Sequence, residues 1–136
     1  MGFNEALIAD LRSHEGKATS GPFVGRPLIV LTTTGARTRA ERANPLVYSK
    51  DGDRIVIVAS KGGADTNPDW FHNLKANPSV TVEVDTETFQ GRANIVASES
   101  ERRRLYDAHA AMHPTFKDYE KKTSRVIPVV LLERVA

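Results

Sequence analysis

The sequence contains no cysteine in its 136 residues, so disulfide bonds, thiolate metal sites and a cysteine nucleophile are all excluded. It also lacks any apolar run near the roughly 18 residues that a membrane-spanning helix requires. The first stretch, MGFNEALIADLRSHEG, has early acidic residues and no basic segment ahead of an apolar one, unlike a secretory signal. We therefore expect a cytoplasmic protein without a membrane span.

Patterns that mark a self-sufficient catalytic centre are missing as well. The four histidines have no metal-ligand spacing with each other or with acidic residues, so no metal site is expected. Neither a GxSxG nor an SxxK pattern occurs. If the protein is an enzyme, a bound cofactor must carry the chemistry while the protein orients it.

The charge is only mildly basic, with a formal net charge of +2 and a pI near 9.0. That excess is too small to indicate a nucleic-acid partner, and it suits an anionic small ligand. The composition, 40% hydrophobic and 26% charged, is typical of a globular protein. The length predicts one domain over residues 1–136, in which residues 1–20 form a helix and a lead-in.

Apolar and β-branched runs predict strands at 28–34, from residue 45, and at 54–59, 79–84, 88–96 and 126–135. Asp51-Gly52 predicts a type I′ hairpin turn, and Gly91 a bulge or bend. Asn4 and Ser98 are predicted to cap the first and third helices. Hairpin-linked strands interrupted by single helices favour an α+β fold, an antiparallel barrel of about six strands with flanking helices.

The segment SKGGADTNPDWFHN, residues 60–73, has the features of an anion site. Thr66 or Asn67 can cap a helix with Pro68 at its first position, which leaves free N–H groups at the helix start. The glycine pair lets the backbone approach a ligand, and Lys61 adds positive charge. Alternatively the glycines only turn the chain, and Trp70 plugs the mouth of the barrel.

Two further segments could contact a ligand. Residues 35–45, GARTRAERANP, hold three arginines and one acid, so they could bind a phosphorylated or polycarboxylate tail or form a solvated hairpin loop. Residues 113–119, HPTFKDY, could line a pocket or form a packed turn between helices.

Three stretches together resemble the deazaflavin-dependent nitroreductase family: TTTGARTRAERANPLVY, DGDRIVIVASKGGADTNPDWFHNLKANPSVTVEV and HPTFKDYEKKTSRVIPVVLLE. The resemblance covers the chain from about residue 20 to its C-terminus. It implies a split β-barrel, related in fold to flavin-binding pyridoxamine-phosphate-oxidase-like proteins. It also implies the 8-hydroxy-5-deazaflavin coenzyme F420 as hydride donor to quinones, activated enones or nitroaromatics.

Carried over by position, the resemblance implies a set of coenzyme-binding residues. The holders of the phosphate and oligoglutamate tail would be Ala36, Arg37, Thr38 and Arg42. The edge of the deazaflavin would be lined by Asn44, Pro45, Leu46 and Val47, and its ring by Val58, Ala59, Ser60 and Lys61. The next helix would face the tail and phosphate through Asp69, Trp70, Phe71, His72 and Asn73.

The segment after the third helix departs from the nitroreductases, which carry several tyrosines there. Phe116 keeps an aromatic face without a hydroxyl, so it cannot donate a hydrogen bond to a substrate. Tyr119 or Ser60 is expected to stabilise the oxyanion that develops on the substrate. Arg37 replaces the family's tail-binding lysine, which keeps the charge and changes its geometry.

Two other functions remain open from the sequence: a non-catalytic carrier of deazaflavin or flavin, and an FMN-dependent split-barrel oxidase. The expected partner is a small electrophilic substrate, with no nucleic acid. Split barrels often pair, so a homodimer is a candidate assembly. The apolar face of the first helix could also dock on a partner or on the inner face of the membrane.

Overall fold

One antiparallel sheet organises the computed structural model, which describes residues 3–135. Its strands within the described residues are β1 Leu28–Thr34, β2 Glu41–Val47, β3 Ser49–Asp51, β4 Arg54–Val58, β5 Ser79–Val84, β6 Glu87–Ile95 and β7 Val129–Arg134. They pair in the order β2-β1-β5-β6-β7-β4-β3. The helices are α1 Phe3–Ser13, α2 Asp69–Ala76, α3 Glu99–Met112 and α4 Thr115–Lys121, with a 3₁₀ turn at Lys61–Gly63.

The sheet curls because β2 and β3 follow each other in the chain and yet lie at opposite edges of the sheet. Only Tyr48 separates them, and one residue cannot span the width of a flat sheet. The two edges therefore meet, which confirms the barrel-like α+β fold. The described sheet has one strand more than the predicted number of about six, since the run from residue 45 changes partner at Tyr48, from β1 to β4, and supplies two strands.

Strand β1 is buried on both faces and separates two apolar clusters. Ile29 and Leu31 face the barrel interior, where they pack with residues of α2, β4, β5 and β7. Leu28 and Val30 point the other way, toward Leu7, Ile8, Leu11 and Ala18. Because side chains alternate between the two faces of β1, this one strand contributes to both apolar clusters.

The apolar face of α1 is therefore used inside the protein. Leu7 and Ile8 are each 7% exposed and Leu11 is 3% exposed, because all three pack on β1. The expectation that this face docks on a partner or a bilayer finds no support. Among residues 3–135, no helix is long and apolar enough to cross a membrane.

Two helix starts differ from their predictions. Helix α1 begins at Phe3, so Asn4 lies inside its first turn rather than at the cap. Helix α2 begins at Asp69, with Pro68 as its N-cap in an extended conformation and no side-chain cap from Thr66 or Asn67. Asn67 is instead bound by a distant arginine, described below. Ser98 does cap α3, since its Oγ accepts a hydrogen bond from the N–H of Glu101.

The β-turn predictions also need correction. In the β3–β4 hairpin Asp51 pairs with Arg54, so the loop residues are Gly52 and Asp53. Only Gly52 has a positive φ, whereas a type I′ turn requires two such residues. Gly91 makes no bulge, because it keeps a regular register with Val80; its missing Cβ would lie 3.2 Å from the Glu133 carbonyl oxygen.

Candidate functional site

Two adjoining cavities follow the segments that the sequence singled out. The first, of about 780 Å³, lies between the β1–β2 turn and the start of α2; we name it the basic cavity. The second, of about 370 Å³, lies between β2, the 60–62 segment and α4; we name it the aromatic cavity. Asn44 lines the first and Pro45 the second, so the cavities adjoin along β2.

The predicted site residues divide between the cavities. Those that line the basic cavity are Ala36, Arg37, Thr38, Arg42, Asn44, Asp69, His72 and Asn73. Those that line the aromatic cavity are Pro45, Leu46, Val47, Val58, Ser60, Lys61, Trp70, Phe116 and Tyr119. Ala59 and Phe71 line neither, since both are buried in the barrel core.

Hydrogen bonds within the β1–β2 turn shape the wall of the basic cavity. The Gly35 N–H donates to the Ala40 carbonyl at 2.7 Å, and the Arg39 N–H donates to the Gly35 carbonyl at 3.0 Å. Arg39 adopts a φ of 61°, which closes the turn. The Thr38 Oγ1 accepts from the Ala40 N–H at 3.2 Å. The turn is thus held by its own backbone, and its arginine side chains remain available.

The basic cavity combines exposed cations with a helix start. Arg37 and Arg42 are exposed and form no ion pair with any carboxylate in the described part of the chain. The first turn of α2, which faces this cavity, has no side-chain cap. Asp69 is the one carboxylate among the lining residues. Guanidinium groups beside a helix N-terminus suit a phosphate or carboxylate ligand.

The aromatic cavity is a slot with apolar walls. One wall is the edge strand β2, where Pro45 is tolerated because an edge residue need not donate to a neighbouring strand. The other wall holds Phe116 and Tyr119, whose rings meet edge to face at a centroid distance of 5.0 Å. Trp70 is 6% exposed, belongs to the barrel core and also lines the slot. Its position is compatible with both roles that the sequence left open, a core plug and a cavity wall.

The floor of the slot is an unusual turn. Lys61, Gly62 and Gly63 have φ values of 49°, 64° and 85°, so three consecutive residues are left-handed. A Cβ on Gly63 would lie 3.0 Å from the Tyr119 carbonyl oxygen, whereas one on Gly62 would meet nothing within 4 Å. Glycine is thus required at the two positions for different reasons. At position 63 it permits close contact with α4, and at position 62 it permits only the left-handed turn.

Arg125 holds this turn in place, a role that the sequence did not predict. Its guanidinium donates to the carbonyls of Ala59 at 3.2 Å, Ser60 at 2.9 Å and Ala64 at 2.9 and 3.1 Å. It also donates to the Asn67 Oδ1. Arg125 lies in an irregular stretch before β7, and no local pattern reveals a side chain that binds a loop about 60 residues away.

Buried polar groups lie behind the aromatic cavity. The Nε2–H of His113 donates to the Tyr48 carbonyl at 3.0 Å, so in the neutral ring Nδ1 accepts from the Arg26 Nη2 at 3.1 Å. Burial lowers the pKa of His113. The Nδ1 of His109 is 2.7 Å from the Ser49 Oγ, and burial lowers the pKa of His109 to about 3. Arg26 and His109 were not foreseen from the sequence.

Known proteins of similar sequence exist. The family model described as F420H(2)-dependent quinone reductase matches residues 6–134. A Mycobacterium tuberculosis protein named F420H(2)-dependent quinone reductase is 42% identical over 133 residues, which cover 91% of this chain and 89% of that protein.

Two solved structures are also similar. An F420-H2 dependent reductase, FDR-A, has a TM-score of 0.72 and 35% identity, covering 79% of this chain and 95% of that one. A chain solved as a domain-swapped dimer has a TM-score of 0.74 and 30% identity, covering 95% and 93%.

Proposed function

Because this chain belongs to the F420H(2)-dependent quinone reductase family, we propose that it binds coenzyme F420 along its two cavities and reduces quinones in the aromatic one. The protein is an oxidoreductase, as its sequence predicted. The observation that carries the placement is the junction of a basic and an aromatic cavity along β2. The coenzyme has the same two chemistries, an anionic tail and a planar ring, and it supplies the hydride from its C5 position.

The residues of the basic cavity would bind the anionic tail. Arg37 and Arg42 provide guanidinium groups without competing carboxylate partners in the described residues. Ala36 and Thr38 lie on the same ordered turn, and the first turn of α2 contributes its dipole. The carboxylate of Asp69 would repel an anionic group, so a ligand would contact it through a hydroxyl or N–H group.

The residues of the aromatic cavity would orient two planar groups and keep water away from them. Pro45, Leu46 and Val47 form one flat wall, while Phe116 and Tyr119 form another. Holding the reacting groups in place is worth roughly 7–11 kcal/mol in favourable cases. Tyr119 and Ser60 carry hydroxyls in this cavity, so they are the candidate donors to the oxyanion that forms on the substrate. Phe116 has no such group.

A fluorescence titration with F420 tests the binding half of the proposal, with Arg42→Ala as the informative variant. Loss of a charge-assisted contact should weaken binding by about 1.5–3 kcal/mol. Arg92→Ala is the matched control, because Arg92 is an exposed arginine on β6 that lines neither cavity. Wild-type protein that binds no coenzyme at tens of micromolar would refute the proposal.

The catalytic half needs a separate measurement, since a carrier would have the same coenzyme site. Reduced F420 is mixed with menadione, with and without protein, and its oxidation is followed optically. A rate above the protein-free rate is expected for a reductase. Binding without acceleration would leave the carrier as the correct function.

We further propose a homodimer for this chain, supported by the domain-swapped dimer found for a structure at 30% identity. Light scattering on the purified protein should give twice the chain mass of 15.0 kDa. A mass equal to that of one chain would contradict this assembly.

A further inference from the structure

Arg26 forms no ion pair with a carboxylate in the part of the chain that the structure describes. Arg12, Arg54, Arg102, Arg103, Arg104 and Arg134 each form an ion pair with a carboxylate. Arg26 is part-buried, and the one hydrogen bond of its side chain in the described structure goes to the ring nitrogen of His113. Its Nε is buried and has no acceptor among the described residues. A part-buried guanidinium so poorly matched is costly as a purely structural group.

His113 orients Arg26 without neutralising it. The Nε2–H of His113 is taken by the Tyr48 carbonyl, so its Nδ1 is left as an acceptor in the neutral ring. His113 is 1% exposed, and burial lowers its pKa, which favours that neutral ring. A neutral imidazole contributes geometry and no negative charge, so the guanidinium keeps its full charge.

The aromatic cavity offers Arg26 no carboxylate, although Asp85 lines another cavity that Arg26 borders, without forming an ion pair with it in the described structure. Arg26 lines the aromatic cavity together with Phe23 and Lys61, and no carboxylate is among the described residues that line it. Lys61, the other cation of this lining, donates from its Nζ to the Thr66 Oγ1 at 3.3 Å. The aromatic cavity therefore presents planar apolar walls and an unmatched positive charge. Such a cavity suits a planar aromatic anion.

We propose that Arg26 binds a negatively charged oxygen on the substrate, so that the preferred acceptors are quinones with an ionised hydroxyl beside a carbonyl. This inference rests on the proposed quinone reduction and specifies its substrate class. Arg26 is then a specificity-determining residue, and His113 a positioning residue that acts through it.

Two naphthoquinones of nearly equal size form the test: 2-hydroxy-1,4-naphthoquinone, an anion at neutral pH, and 2-methyl-1,4-naphthoquinone, which is neutral. Trp70 is the only tryptophan and lines the aromatic cavity, so quenching of its fluorescence reports binding without coenzyme or turnover. The wild type should bind the anion about tenfold or more tightly than the neutral quinone. The same ratio is then measured as KM with reduced F420.

Arg26→Gln should remove the preference, while binding of the neutral quinone stays within about twofold. Arg26→Lys keeps the positive charge but lacks the paired N–H donors of the guanidinium, so it should retain part of the preference. This variant also tests the proposal if Arg26→Gln folds poorly. Arg92→Gln is the control and should behave as wild type.

Equal affinity of the wild type for the anionic and the neutral quinone would overturn the proposal. A preference for the anion that survives Arg26→Gln and disappears in Lys61→Gln would also overturn it. Neither result bears on coenzyme binding, which the F420 titration measures separately. Failure of the substrate inference is therefore distinguishable from failure of the proposed function.

Discussion

The side-chain oxygen of Asn73 accepts a hydrogen bond from the backbone N–H of Ala36 at 3.0 Å. The amide nitrogen of the same side chain donates to the Thr33 Oγ1 at 3.2 Å. Asn73 thus joins α2 to the end of β1 and to the turn that carries Arg37. Its side chain is a brace for the basic cavity as well as part of its lining.

Substitution of Asn73 should separate this bracing from charge. Asn73→Ala removes both hydrogen bonds, so the free energy of unfolding should fall by about 1–3 kcal/mol and F420 should bind more weakly. Asn73→Asp keeps the acceptor for Ala36 but adds a negative charge to the basic cavity. It should therefore lose coenzyme affinity about tenfold or more, with a smaller loss of stability. Urea unfolding and coenzyme titration measure the two effects, and wild-type affinity in the aspartate variant would contradict this role.

Arg125 should control the order of the 60–67 segment. A lysine there cannot reach four acceptor groups at once, so Arg125→Lys should lower the free energy of unfolding by about 1–3 kcal/mol. It should also reduce amide hydrogen-exchange protection in residues 60–67 and weaken F420 binding. Arg92→Lys provides the control. Unchanged protection in this segment would show that the turn is held by other contacts.

The two glycines of the turn should respond differently to alanine. Gly62→Ala meets open space, so only the left-handed φ of 64° opposes it, at about 1–2 kcal/mol. Gly63→Ala adds a clash with the Tyr119 carbonyl at 3.0 Å, which should raise the loss to about 2–4 kcal/mol. Thermal or urea unfolding of both variants tests the ranking. Equal losses would mean that α4 yields easily at Gly63.

The buried histidines should make the free energy of unfolding depend on pH, even above the pH range in which carboxylates titrate. His109 has a pKa near 3 in the folded protein, so between pH 6.5 and 3 the unfolded chain binds more protons than the folded one. Stability is thus full above about pH 6.5 and falls with acidification, by about 2 kcal/mol from pH 7 to pH 5 for His109. His113 acts in the same direction.

His109→Phe should flatten this slope in urea unfolding measured at pH 7, 6 and 5, whatever it does to stability at pH 7. The loss of the Ser49 partner lowers stability equally at each pH, so only the slope reports the titration. A slope unchanged in the variant would show that His109 is not protonated on unfolding.

Local patterns were reliable where a few neighbouring residues decide the structure. Ser98 caps α3 as predicted, and the runs at 28–34 and 79–84 are strands with the predicted bounds. The arginine loop and the glycine turn were candidate ligand-binding segments, and each lies beside a cavity. Residues close in the chain carry such signals because their physics is local.

Patterns failed where a distant partner decides. The run from residue 45 looked like one strand, and it divides at Tyr48, where the chain leaves its partner β1 and begins to pair with β4. Asn67 looked like a helix cap, and its side-chain oxygen instead accepts a hydrogen bond from Arg125. His113 lies in a segment expected to line a pocket or to form a packed turn, but its distant partners, Tyr48 and Arg26, could not be predicted.

The sequence by itself determined the fold class, through hydrophobic periodicity, and the family with its coenzyme, through the resemblance of its motifs. It also predicted two segments that would hold that coenzyme. Only the tertiary structure decided which groups support or charge the site. Arg125, Asn73 and Arg26 act across 37 to 87 residues of chain. Long-range hydrogen bonds and burial leave no periodic trace in a sequence, because they exist only once the sheet has curled and brought those residues together.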